Sequence, residues 1–137
     1  MPKNSIIKVQ SVEVSVAQHG GDDYICLTDM AKARTDTSRA ADVIKNWIRT
    51  RTTLEFLGTW EKIYNPNFKV VEFDHFKSEA GLPSFVLSPS QWVEKTSAIG
   101  IFSKAGRYGG TYAHKDITVN QMTSLLKSKK LHQLSDS

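Results

Sequence analysis

The sequence predicts an α+β fold: a single winged helix-turn-helix-like domain with an N-terminal β-hairpin, a helical insert and a basic glycine-rich β-wing. Three observations predict it. Val12-Glu13-Val14-Ser15-Val16 alternates strictly, and with Tyr24-Ile25-Cys26-Leu27 it brackets the turn residues His19 to Asp23, which is the pattern of a hairpin. Ala40, Val43, Ile44, Trp47 and Ile48, stepped at about 100° per residue, form one continuous apolar helix face. Ser103 to Tyr112 sets Lys104, Arg107, Tyr108 and Tyr112 among Gly106, Gly109 and Gly110, between the strand-like Ile99–Phe102 and Thr111–Ala113. At 137 residues the chain suits one domain with a real core.

The elements follow in order. After the first hairpin, Thr28 offers a capping hydroxyl for a short helix from Asp29 to about Arg34, with Asp29 favourably placed in the first turn. Thr35-Asp36-Thr37 is a polar break, and the amphipathic helix around Arg39 to Arg49 follows. Leu54, Leu57, Trp60 and Tyr64 continue at helical spacing, weakened by Gly58 and stopped by Asn65-Pro66-Asn67. Val70 to Ala80 suits a short helix ending at Gly81 as its cap. Ser84–Leu87 reads as a short strand. Ser88, Pro89 and Gln91 form a strong helix start, with a capping box and proline at the first helical position, and that helix runs to about Thr96. A further capping box, Thr118-Val119-Asn120-Gln121, opens a helix striped by Val119, Met122, Leu125 and Leu126. Residues 5–126 form the expected domain, and 127–137 a basic and polar tail.

The net charge of +4 is modest, but the charge is segregated. Between Cys26 and Arg51, six cations (Lys32, Arg34, Arg39, Lys45, Arg49 and Arg51) face Asp29, Asp36 and Asp42. The middle, from Glu55 to Glu79, leans acidic. No acidic residue falls between Glu94 and Asp116. Two basic blocks flanking an acidic-leaning insert indicate a surface that faces a polyanion. Cys26 is the single cysteine, so no intramolecular disulfide forms; it sits in an apolar run and reads as a buried structural thiol in a reducing, cytoplasmic setting. No stretch is long enough to span a membrane.

The amphipathic helix turns Arg39, Asp42, Asn46 and Arg49 away from its apolar face, with Lys45 beside them. Arginine and lysine can reach phosphates or guanine, and asparagine can pair bidentately with adenine. In the hairpin, Gly106 and Gly109 allow positive φ and close backbone approach, so that amides can donate to phosphate oxygens. Lys104 and Arg107 supply charge, and Tyr108 can pack on a sugar or donate its hydroxyl. Alone, each element has a plain reading, a solvated helix face or an ordinary Gly-rich turn. Together, Lys32, Arg39, Lys45, Asn46, Arg49, Arg51, Lys104, Gly106, Arg107, Tyr108 and Gly109 are the expected contacts to double-stranded DNA.

Four stretches carry a family resemblance: Asp23 to Lys32, Asn46-Trp47-Ile48-Arg49, Phe85 to Thr96, and Gly106 to Ile117 with its closing His114-Lys115-Asp116-Ile117. Over about Val12 to Ile117 the chain resembles the KilA-N domain of bacteriophages, prophages and large DNA viruses, which is similar to the DNA-binding domain of fungal APSES transcription factors. The resemblance implies a non-catalytic, regulatory DNA-binding protein of phage type acting in the host cytoplasm. It also implies that the Arg39–Arg49 helix is presented to DNA, with the Gly106 region as wing. After Ile117 the chain departs from the family pattern, which continues into an Ala/Phe-rich helix with a Trp and then a Pro. The C-terminus is therefore divergent or truncated relative to that pattern.

Two other classes compete. A nucleic-acid-processing enzyme would need an assembled site, and the sequence sets no base beside a nucleophile. His19, His75, His114 and His132 are too dispersed for a zinc site, and the Gly106 loop lacks the phosphate-loop arrangement of lysine and Ser/Thr. No catalytic residue, metal, cofactor or small-molecule substrate is expected. A protein-interaction module, as in a host-interfering phage factor, would be supported by exposed aromatics between Trp60 and Phe76. The sequence leaves the oligomeric state and any operator sequence open.

Overall fold

The structure, a computed structural model, describes residues 4–9, 12–34, 39–106 and 109–119. Among these residues, five strands form one antiparallel sheet in the order β1-β2-β3-β5-β4. They are β1 (Asn4–Val9), β2 (Val12–His19), β3 (Asp22–Cys26), β4 (Ile101–Lys104) and β5 (Gly110–His114). Gly20 and Gly21, at φ of 62° and 88°, make the two-residue turn that joins β2 to β3; two consecutive positive φ values require such residues. The N-terminal and C-terminal hairpins meet edge to edge where β3 pairs with β5, setting Tyr24 opposite His114 and Cys26 opposite Tyr112.

Five helices complete the described domain: α1 (Leu27–Arg34), α2 (Ala40–Ile48), α3 (Arg51–Tyr64), α4 (Val70–Glu79) and α5 (Pro89–Thr96). A helical stretch at 115–119 follows β5. Helix α1 leaves β3 directly and packs against α2, β2 and β5. Leu27 therefore begins the helix rather than ending the strand, and Thr28 is not its cap. The Thr28 hydroxyl instead accepts from the Thr111 amide at 2.9 Å, tying α1 to the C-terminal hairpin. Asp29, in the first turn, accepts from the Ser15 amide at 2.8 Å. The expected polar break at Thr35–Thr37 lies outside the described residues.

The core runs from the sheet into the helices. Leu27, Met30, Ile48, Leu54, Leu57, Trp92, Ile101, Tyr112 and Ile117 are all fully buried. The insert formed by α3, α4 and α5 carries an aromatic cluster in which Phe73 meets Phe68 and Trp92, and Phe76 meets Phe85 and Trp92. Trp60, Phe68 and Phe73 are thus core residues, and the interaction-module reading loses most of the exposed aromatics it needed; Tyr64 alone remains well exposed there. Gly58, which weakens the helical pattern in sequence, is where α3 receives α4. A β-carbon there would stand 2.2 Å from Cζ of the buried Phe73 ring.

Helix α5 opens as its sequence predicts. Ser88 accepts from the Gln91 amide, and the Gln91 side chain accepts from the Ser88 amide at 2.9 Å. Two other expectations are corrected. Ser84 lies in a turn and residues 85–87 belong to no strand, since no neighbouring strand offers them a ladder. The C-terminal helix starts at residue 115 rather than at a Thr118 cap. His114 Nδ1 accepts from the Asp116 amide at 3.0 Å, and the Thr118 hydroxyl donates back to the Ala113 and His114 carbonyls from inside the helix. The stripe residues Met122, Leu125 and Leu126, and the tail, lie outside the described residues.

Glu61 is the least expected core residue. Its side chain is buried, at 1% relative exposure, in the middle of the acidic-leaning insert. It accepts from the Ile99 amide, from the Gly100 amide at 2.7 Å and from Asn65 Nδ2 at 2.9 Å. A buried carboxylate surrounded by backbone and amide donors is well satisfied. Here it fixes the entry to β4 onto α3. Burial also pushes the Cys26 thiol above its ordinary range, and raises the phenols of Tyr24 and Tyr112 to about 12. All three groups stay neutral, as core groups should.

Candidate nucleic-acid interface

Helix α2 is positioned by its apolar face. Ala40, Ile44, Trp47 and Ile48 are buried, and Val43 is half-buried. That geometry turns Arg39, Asp42, Lys45 and Asn46 outward, and all four are exposed. Arg49 does not follow them fully. It is half-buried, and its Nη1 donates to the Phe85 carbonyl at 2.9 Å. The guanidinium thereby braces α2 against the segment that precedes α5.

A groove runs beside this brace. Between α2 and the Val86–Gln91 segment lies a cavity of about 650 Å³, lined by Arg39, Asp42, Lys45, Asn46, Arg49, Val86, Leu87, Ser88 and Gln91. The sequence identified one wall of it. The other wall was missed, although one signal for it is visible: in an extended Phe85-Val86-Leu87, alternate side chains take opposite sides. Phe85 and Leu87 are buried, so Val86 must face out, and it does.

The C-terminal hairpin is the second basic element. Ile101 pairs with Ala113, Phe102 with Tyr112, Ser103 with Thr111, and Lys104 with Gly110. The Phe102 and Tyr112 rings stack with centroids 5.3 Å apart. The Lys104 ammonium sits 5.9 Å from the Tyr112 ring centroid, so its stem lies back along the hairpin rather than off its end. At the tip, Gly106 has φ of 97° and its carbonyl accepts from the Gly109 amide at 2.9 Å. Gly109 does not use positive φ. Its need is steric, because a β-carbon would meet the Gly106 and Lys104 carbonyl oxygens at 2.8 and 2.9 Å. The second positive-φ glycine of the tip is Gly110, at 144°, packed against Thr28. Arg107 and Tyr108 lie outside the described residues.

Helix α5 bridges the two basic elements. It packs against β4 and α2, and Ser90 Oγ lies 3.5 Å from Ser103 Oγ. The remaining candidates stand apart from the groove. Lys32 is exposed on α1. Arg51 faces Glu55 at 3.8 Å and lines a separate hollow of about 280 Å³ with Arg49, Gly81, Leu82 and Pro83. Among the described residues, no group of three or more His, Cys, Asp and Glu side chains could hold a metal ion, and no helix is long and apolar enough to cross a membrane.

The family model of the KilA-N domain matches residues 7–132 of this chain. No curated protein and no solved structure matches it.

Proposed function

The chain belongs to the KilA-N domain family, a family of DNA-binding domains, and from that premise we propose that it binds double-stranded DNA through the α2 groove and the β4–β5 hairpin. In this reading α1 and α2 act as a helix-turn-helix with α2 as the reading helix, and the hairpin is its wing. Lys45, Arg39 and the hairpin cations Lys104 and Arg107 neutralise phosphates. Asn46 faces base edges, and the amides about Gly106 and Gly109 approach the backbone. Lys32 and Arg51 serve as outlying phosphate contacts. The role is regulatory and non-catalytic, in a phage or prophage protein acting in the bacterial cytoplasm.

The observation that carries this reading is the α2 face: a helix anchored by Ile44, Trp47 and Ile48 that turns Arg39, Lys45 and Asn46 onto an open groove. The test is polarisation of a labelled random-sequence duplex titrated at two salt concentrations. Neutralising four phosphates should cost about a hundredfold in affinity between about 50 and 200 mM salt. Duplex affinity indifferent to salt, or no binding at low salt, would overturn the reading; docking on a protein through apolar surface lacks this dependence.

A further inference from the structure

We propose that Val86 is a base-reading residue that contacts the 5-methyl group of thymine in the major groove, beside Asn46. The inference rests on the DNA-binding reading and adds base discrimination to it.

Val86 is 72% exposed, yet it is held rigidly. Its neighbours Phe85 and Leu87 are buried, the Phe85 carbonyl is held by Arg49, and Ser88 begins the capping box of α5. The Phe85 amide also donates to the Leu82 carbonyl at 3.0 Å. A branched aliphatic side chain that fills no core position is therefore presented, with little freedom, at the rim of the α2 groove. The groove's lining is mixed. Arg39, Lys45 and Arg49 are cations, but Asp42 is an anion and Asn46 a neutral amide on the same α2 face.

A channel built only for phosphates has no use for Asp42 or Val86. A surface for base edges uses both kinds of group, since the major groove offers amino donors, ring acceptors and one apolar substituent, the thymine methyl. The minor groove lacks that methyl. Asn46 suits adenine N6 and N7, and the methyl of a paired or adjacent thymine projects into the same groove. An apolar contact at Val86 is thus complementary to A·T-containing sites.

The experiment compares binding of the full chain to a duplex of alternating dA and dT with binding to the same duplex carrying dU for dT, which removes only the methyl groups. The expected preference for thymine is about fourfold per methyl contacted, the factor for one buried methylene-sized group. Val86→Ala should abolish that preference, and Val86→Thr, which keeps the shape, should reduce it. Both variants should melt with the parent, because Val86 contributes nothing to the core. A parent that binds both duplexes equally overturns the role of Val86 and leaves DNA binding standing. So does a preference that persists in Val86→Ala, which would mean that the methyl is read elsewhere. Failure to bind either duplex removes both readings.

Discussion

Replacing Glu61 with Ala is expected to destabilise the domain by about 3 kcal/mol or more, lowering the melting temperature by about 10 °C. The effect is large because nothing else nearby can take over. Glu61 accepts from the Ile99 and Gly100 amides and from Asn65 Nδ2, and it is shut away from solvent. Alanine leaves the Ile99 and Gly100 amides without that acceptor and Asn65 Nδ2 with the Ser97 carbonyl alone, and an unmet buried donor costs about 1–3 kcal/mol. The loss is not confined to α3. Ile99 and Gly100 lead into β4, so the carboxylate couples the helical insert to the hairpin of the candidate interface. Glu61→Gln keeps the shape and one acceptor oxygen and should fall between parent and alanine. A thermal or urea melt of Glu61→Ala that overlays the parent would contradict this account of the core.

Removing two cations from the groove in the double variant Arg39→Ala, Lys45→Ala should leave the melt unchanged and weaken duplex binding on the order of fiftyfold near 0.1 M salt. Lys45 lies on α2 and Arg39 at its N-terminal cap, and both are exposed, away from the buried face. Each neutralised phosphate contributes a factor that scales with salt to roughly the −0.9 power, so two lost contacts should also lower the salt slope by about two units. The loss should be similar on all sequences, because phosphates carry no base information. Asn46→Ala makes a useful contrast, with a cost of about 1–3 kcal/mol at adenine-containing positions only. If the double variant keeps parental affinity and slope, α2 is not the surface that meets DNA.

Much of this fold is legible in the sequence wherever local chemistry decides the outcome. The Ser88-Pro89-Ser90-Gln91 start, the glycine turn at Gly20-Gly21 and the apolar stripe of α2 are short-range signals, and each forms the expected element. Failures come where a distant partner outbids the local one. Thr28 looks like a helix cap, yet its hydroxyl goes to Thr111, far along the chain; Thr118 fails locally instead, because its helix starts earlier and its hydroxyl bonds back to the Ala113 and His114 carbonyls. Glu61 looks like one more surface acid until α3 packs beside Gly100. Gly58 looks like a helix flaw until Phe73 lies on it. Ser84–Leu87 has the alternation of a strand but meets a helix and an arginine instead of a ladder. For the candidate site, the outward face of α2 could be read from periodicity. The groove could not, because its second wall lies about forty residues further along the chain, anchored there by the buried Phe85 and Leu87 and by the Arg49 bond to the Phe85 carbonyl.

The location of the DNA surface can be tested directly by titrating the isotopically labelled chain with duplex DNA and following amide chemical shifts. The account predicts that the largest shifts cluster on α2 from Arg39 to Asn46, on Val86 to Gln91, and along the hairpin from Ser103 to Thr111. The α4 surface around Val71 and the α3 surface around Ile63 should stay still. Shifts centred on α3 and α4, with α2 and the hairpin unmoved at saturation, would contradict it.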